Sequence, residues 1–335
     1  MKFGLGVPTA TEGLMYPVPY ADVDEAVTLA LTAEELGFDS VWGNDHVTTQ
    51  AYVRREFGDP PRYLDPWLYL SYVAARTTRL RLATCVTVLP FRHPVVLAKQ
   101  AATLDRLSGG RLVMGVGIGA YREEFEAMWP GRQLHRGDYA REALESLQRL
   151  FTDRQASYQG SWITFNDVES FPKPVQSPLP VLSGGNAPGS RDRAATIGTG
   201  WLPACLTPDE VAAGVADIRR RAAAAGRELP ADYEVALQVG VAIGRTSQEA
   251  QERFADSQLA SHMRSLSGST LKGRQGDLAA RNLIGTPDEV LAAVERYRDA
   301  GVTTFAGLLF AENTVPATVD AMRQFAEEVI AHAAR

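Results

Sequence analysis

Apolar positions along the chain fall into two kinds of run that alternate. Short, nearly unbroken apolar stretches rich in β-branched residues suit parallel strands covered on both faces. Longer stretches repeat their apolar residues every three to four positions, as an amphipathic helix does. Strands are expected over residues 2–7, 40–42, 82–89, 112–116, 181–185, 201–204, 234–243 and 303–310. Helices are expected over 22–36, 65–77, 93–108, 136–151, 191–197, 207–225, 247–263, from 287 onward and over 319–333, with a short one starting near Glu123. The punctuation agrees: Gly37 and the Gly109-Gly110 pair stop helices, and Asp65-Pro66 and Thr286-Pro287-Asp288-Glu289 start them.

Three stretches break the rhythm. Residues 47–64 read as a long loop, and 158–180 as a small β excursion followed by an extended proline-rich run. Residues 265–282, polar and glycine-rich, read as a lid. About eight strand-helix units without a break in composition imply a parallel sheet with helices outside, and at this length closure into a (β/α)8 TIM barrel. The expected organisation is therefore one α/β domain, 1–335, with an insertion at 158–180 and a lid at 265–282. Its site should lie at the C-terminal ends of the strands.

Composition narrows the function classes. With 335 residues, 45% hydrophobic and 22% charged, the chain can bury a large core. A net charge of -6 and no basic stripe interleaved with aromatics argue against nucleic acid and an acidic membrane surface. No apolar run is long enough to span a bilayer, and the first residues enter a strand directly, so a cytoplasmic protein is expected. Cys85 and Cys205 sit in separate apolar contexts, which fits neither a disulfide framework nor a metal site.

Residues 115–120, GVGIGA, match a dinucleotide fingerprint. Such a fingerprint usually occupies the first βα turn, and here three units precede it. Small residues that let a flat ligand or a helix approach the backbone are the better reading. Ser183-Gly184-Gly185-Asn186 lies between a strand and a helix, where free N–H groups and a helix N-terminus favour an anion such as a phosphate; a plain tight turn is the alternative. His46, beside Asp45 at a strand end, can orient a ligand or carry a proton, against the alternative of a structural histidine.

Residues 40–46 (SVWGNDH), 89–94 (LPFRHP), 104–111 (LDRLSGGR), 115–125, 171–176 (FPKPVQ), 183–185 (SGG) and 198–201 (GTGW), in this order and spacing, resemble the bacterial luciferase-like superfamily. The resemblance covers nearly the whole chain. It implies a luciferase-like barrel that binds flavin mononucleotide (FMN) or the deazaflavin coenzyme F420. It also implies a cis peptide bond at Cys85-Val86, behind the flavin ring, so the expected cofactor-binding set is Cys85, Val86, Thr87, Gly117, Gly119, Ser183, Gly184, Gly185 and Asn186. Asp45 and His46 are the expected catalytic pair, and Trp42 and Tyr121 are candidate substrate contacts. Arg54, Arg55, Lys272 and Arg274, in the two long loops, join them as contacts to an anionic substrate, with solvated surface charge as the alternative.

The function expected from this resemblance is a monooxygenase in which reduced FMN from a partner reductase reacts with oxygen and a small organic substrate, the protein being a homodimer. The alternatives are an F420-dependent oxidoreductase that exchanges a hydride, and a flavin-binding protein without catalysis. One departure bears on the choice. F420-dependent sugar-phosphate and alcohol dehydrogenases carry a glutamate directly after the glycine motif, where this chain has Ala120, and Glu123 and Glu124 follow a helical turn later.

Overall fold

Eight parallel strands close into a barrel in the computed structural model, which describes residues 1–266 and 278–333. They are Lys2–Val7, Ser40–Gly43, Arg81–Thr84, Leu112–Gly117, Val181–Gly184, Gly200–Leu202, Glu234–Leu237 and Thr304–Phe310. Each pairs with the next, and the first closes on the last through Lys2 with Thr304 and Phe3 with Phe305. Helices cover the outside, so the strands are buried on both faces and read as apolar runs. Local signals set the helix ends. Asp22 and Glu25 form a capping box at the start of Val23–Glu35, His93 Nδ1 accepts from Val95 N–H (3.3 Å) ahead of Pro94–Leu107, and Gly109 and Gly110 end that helix with φ of 67° and 86°.

The structure departs from the sequence pattern where side chains replace ladder partners. The strand expected over 82–89 stops at Thr84, resumes as Thr87–Val88, and passes into a 3-10 turn at Leu89–Phe91. Between the two pieces lies the cis bond Cys85-Val86, and the Asp45 carboxylate accepts from Val88 N–H (2.9 Å). The helix expected over 247–263 is two, Ser247–Ala255 and Gln258–Ser265, because the Ser257 hydroxyl accepts from Ala260 N–H (3.2 Å) and caps the second. The loop expected at 47–64 contains the helix Ala51–Glu56. Glu234–Leu237 is followed by Gly240–Ile243, on which the further strand Leu283–Gly285 pairs. The last long helix starts early, at Val315, capped by Thr314.

The excursion after the sixth helix is an antiparallel hairpin, Ala156–Gln159 with Thr164–Val168. Its tip is held by Glu142, whose carboxylate accepts from the N–H groups of Ser161, Trp162 and Ile163 at 2.9, 2.8 and 2.9 Å. Of the lid expected at 265–282, residues 267–277 lie outside the described residues.

Trp42 fills the barrel interior, with Ala83, Val113, Leu182, Leu202, Ala236 and Ala306 around it. Its indole N–H donates to Ser40 Oγ at 2.8 Å. Gly4 makes room for it: a Cβ there would lie 2.2 Å from Trp42 Nε1. Below, at the N-terminal end of the strands, Arg81 grips Glu234 through two bonds (2.9 and 2.8 Å), and the Thr304 hydroxyl donates to the same carboxylate (2.7 Å). Burial raises the Glu234 carboxyl pKa, but Arg81 and Thr304 outweigh it and hold the group below its ordinary range. Among the described residues no helix is long and apolar enough to cross a membrane.

Candidate functional site

Above Trp42, at the C-terminal ends of the strands, lies a cavity of about 680 Å³, within the span of small-molecule sites. Its narrow part is a slot with Val86 on one wall, packed directly over Gly117 and Gly184. A Cβ on Gly117 would sit 2.5 Å from Val86 Cγ2, and one on Gly184 2.7 Å from Val86 Cγ1, so either side chain would displace Val86. Gly185 has φ of 110°, a conformation that favours glycine. Buried polar atoms without partners among the described residues edge this cavity: Asn44 Oδ1 and Gln238 Nε2. Such atoms are rare in folded proteins unless something else supplies the bond. The polar edge of a flat heterocycle would do so. Cys85 lines the slot, and burial pushes its thiol pKa up to about 12, which leaves it an inert wall.

One end of the cavity presents hydrogen-bond donors. The turn from Gly184 to Asn186 is fixed from all sides: Gly185 N–H donates to Leu202 O (3.0 Å), Trp201 Nε1–H to Gly185 O (2.9 Å), and the Asn186 amide pairs with Ala204 on both its atoms (2.8 and 3.0 Å). The Gly185 N–H is thereby taken. The N–H groups of Ala187 and Gly189, at the start of the helix Pro188–Thr196, have no acceptor among the described residues. Arg193 lies in the same wall at 7% exposure, and among the described residues its guanidinium meets no carboxylate and donates no hydrogen bond. Burial, with the like charge of Arg141, lowers its pKa. A buried guanidinium without a partner costs free energy that a bound phosphate would offset. Its neighbour Arg191 is already held by Asp217 (2.6 Å) and Asn186 O (2.7 Å).

The other end carries the titratable side chains. Asp45 is buried, ion-paired with Arg92 and accepting from Val88 N–H; Arg92 also reaches Asp65 (2.9 Å). Burial raises the Asp45 carboxyl pKa, and Arg92 pulls against that rise. With its oxygens so engaged, Asp45 braces the segment that leaves the third strand. His46 faces the cavity, its ring 5.5 Å from that of Tyr121 and 5.8 Å from that of Tyr63, centre to centre. Behind it, Nδ1 meets Glu124 Oε1 at 3.0 Å, and the same oxygen accepts from Val47 N–H at 3.0 Å. Across the mouth, His262 also lines the cavity and bonds the Tyr52 hydroxyl through Nδ1 (3.0 Å). Burial lowers the His262 pKa to about 4, so it is neutral near pH 7. Burial likewise raises the Tyr52, Tyr63 and Tyr121 hydroxyls above their ordinary value, which keeps them protonated.

Of the residues singled out from sequence, Asp45, His46, Cys85, Val86, Gly117, Gly119, Tyr121, Gly184, Gly185 and Asn186 meet around this cavity. Thr87 and Ser183 are buried on their strands and do not line it. Trp42 is corrected from substrate contact to barrel filling, because it points inward one layer beneath the floor. Arg54 and Arg55 stand exposed on the helix Ala51–Glu56, away from the lining, with Arg54 bonded to Thr48 Oγ1 (3.0 Å). Lys272 and Arg274 lie outside the described residues. Sequence reasoning missed Arg193, Gln238 and His262, for which no local motif exists. Glu124, a helical turn beyond Ala120, does not take that position in the cavity wall but is fully buried behind His46, a contact the sequence did not show. Among the described residues no group of three His, Cys, Asp or Glu could hold a metal ion.

At the C-terminal end of a closed parallel barrel, the cavity thus has a buried guanidinium, unpaired among the described residues, at one end and a histidine at the other. The family model described as luciferase-like monooxygenase matches residues 1–304, and the chain belongs to that family. Its members use FMN or coenzyme F420. The chain is an oxidoreductase of this kind. It is 37% identical over 248 residues to uncharacterized protein Rv0953c of Mycobacterium tuberculosis, covering 68% of this chain and 80% of that protein. It is 28% identical over 298 residues to an F420-dependent glucose-6-phosphate dehydrogenase of Amycolatopsis mediterranei, covering 83% and 86%. Among solved structures, monooxygenase RslO1 from Streptomyces bottropensis superposes with a TM-score of 0.81 at 27% identity, covering 99% of both chains.

Proposed function

We propose that the protein is a monooxygenase that uses reduced FMN, delivered by a separate reductase, to oxygenate a small organic substrate. The observation that carries this reading is the wall at Ala120. There a methyl group, not a carboxylate, meets the cavity, and the one carboxylate among the described lining residues, Asp45, is ion-paired with Arg92. The whole-chain likeness to a protein named as a monooxygenase supports the same choice. A second reading, hydride exchange with coenzyme F420, draws on the likeness to an F420-dependent dehydrogenase.

The residues present fit such a cofactor. The slot in front of Val86 would take the ring, Asn44 and Gln238 its polar edge, and Arg193 with the Ala187 and Gly189 N–H groups its phosphate. When bound, reduced flavin supplies the electrons and activates oxygen. The chain's own part is to hold the ring, to keep water from the slot with apolar walls, and to carry a proton at His46. Anaerobic titration with reduced FMN and with F420 tests the assignment. An FMN dissociation constant at least about tenfold lower, some 1.4 kcal/mol, is expected; tighter binding of F420 would replace this reading with the second.

A further inference from the structure

We propose that Glu124 is the positioning residue of this site: it fixes His46 as the tautomer protonated at Nδ1, which leaves Nε2 as the atom that exchanges a proton with the molecule in the cavity. The proposal rests on the reading of His46 as proton carrier.

The geometry leaves little choice. Glu124 Oε1 accepts from Val47 N–H at 3.0 Å and lies 3.0 Å from His46 Nδ1. An ionised carboxylate has only acceptors, so the imidazole nitrogen facing it must carry hydrogen. The glutamate is fully buried while His46 keeps 13% of its side chain exposed, on the cavity side. Nε2 makes no hydrogen bond with the described residues and stands at the opposite side of the ring. Glu124 itself does not line the cavity. It therefore acts through His46, as an orienting partner acts through a catalytic or ligating imidazole in other sites.

Among the described residues, other charges around the ring do not compete for Nδ1. Asp45, the neighbour in sequence, is committed to Arg92 and Val88. From the facing elements come Tyr63 and Tyr121, both kept protonated by burial, and His262, neutral near pH 7. A proton taken at Nε2 creates an imidazolium whose Nδ1–H remains on Glu124. Return of that proton restores the starting tautomer, so the ring need not turn over during a cycle. Glu124 Oε2 is buried and has no partner among the described residues. Both hydrogen bonds that the carboxylate makes with the described residues are thus on the one oxygen shared by Val47 and His46.

Nitrogen-15 NMR of the ligand-free full chain near neutral pH tests this directly. The wild type should show His46 with hydrogen on Nδ1 and a bare Nε2. In Glu124→Leu the hydrogen should move to Nε2. In Glu124→Gln, where an amide oxygen can still accept from both donors, it should stay on Nδ1. A wild-type ring protonated only at Nε2, or a tautomer unchanged in Glu124→Leu, would overturn the proposal; should Glu124→Leu fail to fold, the wild-type spectrum decides alone. The rate at which oxygen reoxidises reduced FMN on the protein adds a second readout. Glu124→Leu should slow it about 10- to 100-fold, and adding Glu124→Leu to His46→Ala should slow it no further than His46→Ala alone. Effects that multiply would also contradict action through His46. If the spectra behave as expected and His46→Ala leaves the rate unchanged, the reaction reading fails and the tautomer assignment stands.

Discussion

The two ends of the barrel use the same residue types to opposite effect. At the N-terminal end, Arg81, Glu234 and Thr304 satisfy one another completely, and Trp42 seals the space above them. At the C-terminal end, Arg193, Asn44 Oδ1 and Gln238 Nε2 are buried around a cavity and unpaired among the described residues. The closed end spends its polar groups on the fold. The open end leaves them unspent, at a cost to stability that a ligand can recover. The arrangement within the open end sharpens the contrast: Asp45 and Glu124, its buried acids, are both committed to protein partners, whereas its buried base Arg193 is not.

The comparison can be broken in several ways, taken here from the largest expected effect. His46→Ala should lower kcat by about 10² to 10⁴-fold while leaving flavin affinity and the denaturation midpoint nearly unchanged, measured as substrate-dependent oxygen consumption and by chemical unfolding. A comparable loss of folding stability would make His46 a fold residue and erase the distinction. Arg81→Leu should do the reverse. It strands Glu234 without its counter-charge and should cost about 3 kcal/mol in denaturant unfolding, with flavin binding intact.

His262 gives a pH test of similar size. Its pKa in the folded protein, about 4, lies below the unfolded value of 6.5. The unfolded chain then binds more protons between these two values, so stability is full above pH 6.5 and is lost progressively as pH falls towards 4, by at most about 3 kcal/mol. His262→Phe should flatten this part of the stability curve. An unchanged slope would mean that the imidazole protonates freely in the native state.

How much of this the sequence disclosed depended on distance along the chain. The barrel was readable because doubly buried strands and capped helices are local patterns, as at Asp22 with Glu25 and at Gly109-Gly110. The slot was readable for the same reason, since Gly117, Gly119, Gly184 and Gly185 each fall at a strand end. Alternation along a strand does not report depth, however, so Trp42 read as a substrate contact although it lies one layer beneath the floor. Pairs made by the fold left no mark: Glu124 meets His46 across 78 positions and His262 meets Tyr52 across 210. Arg193 was hidden for a different reason. What distinguishes it is a missing partner, and absence of a contact has no sequence pattern.

The most direct test of the central claim, that Arg193 is left unpaired to receive a cofactor phosphate, compares reduced FMN with reduced riboflavin in the wild type and in Arg193→Met. Losing a charge-assisted bond of about 1.5 to 3 kcal/mol should weaken reduced FMN roughly 10- to 100-fold. Reduced riboflavin, which lacks the phosphate, should bind both proteins alike, and the variant should be no less stable than the wild type, since it loses a buried charge that had no partner. An equal loss for both flavins, or none for FMN, would contradict the account.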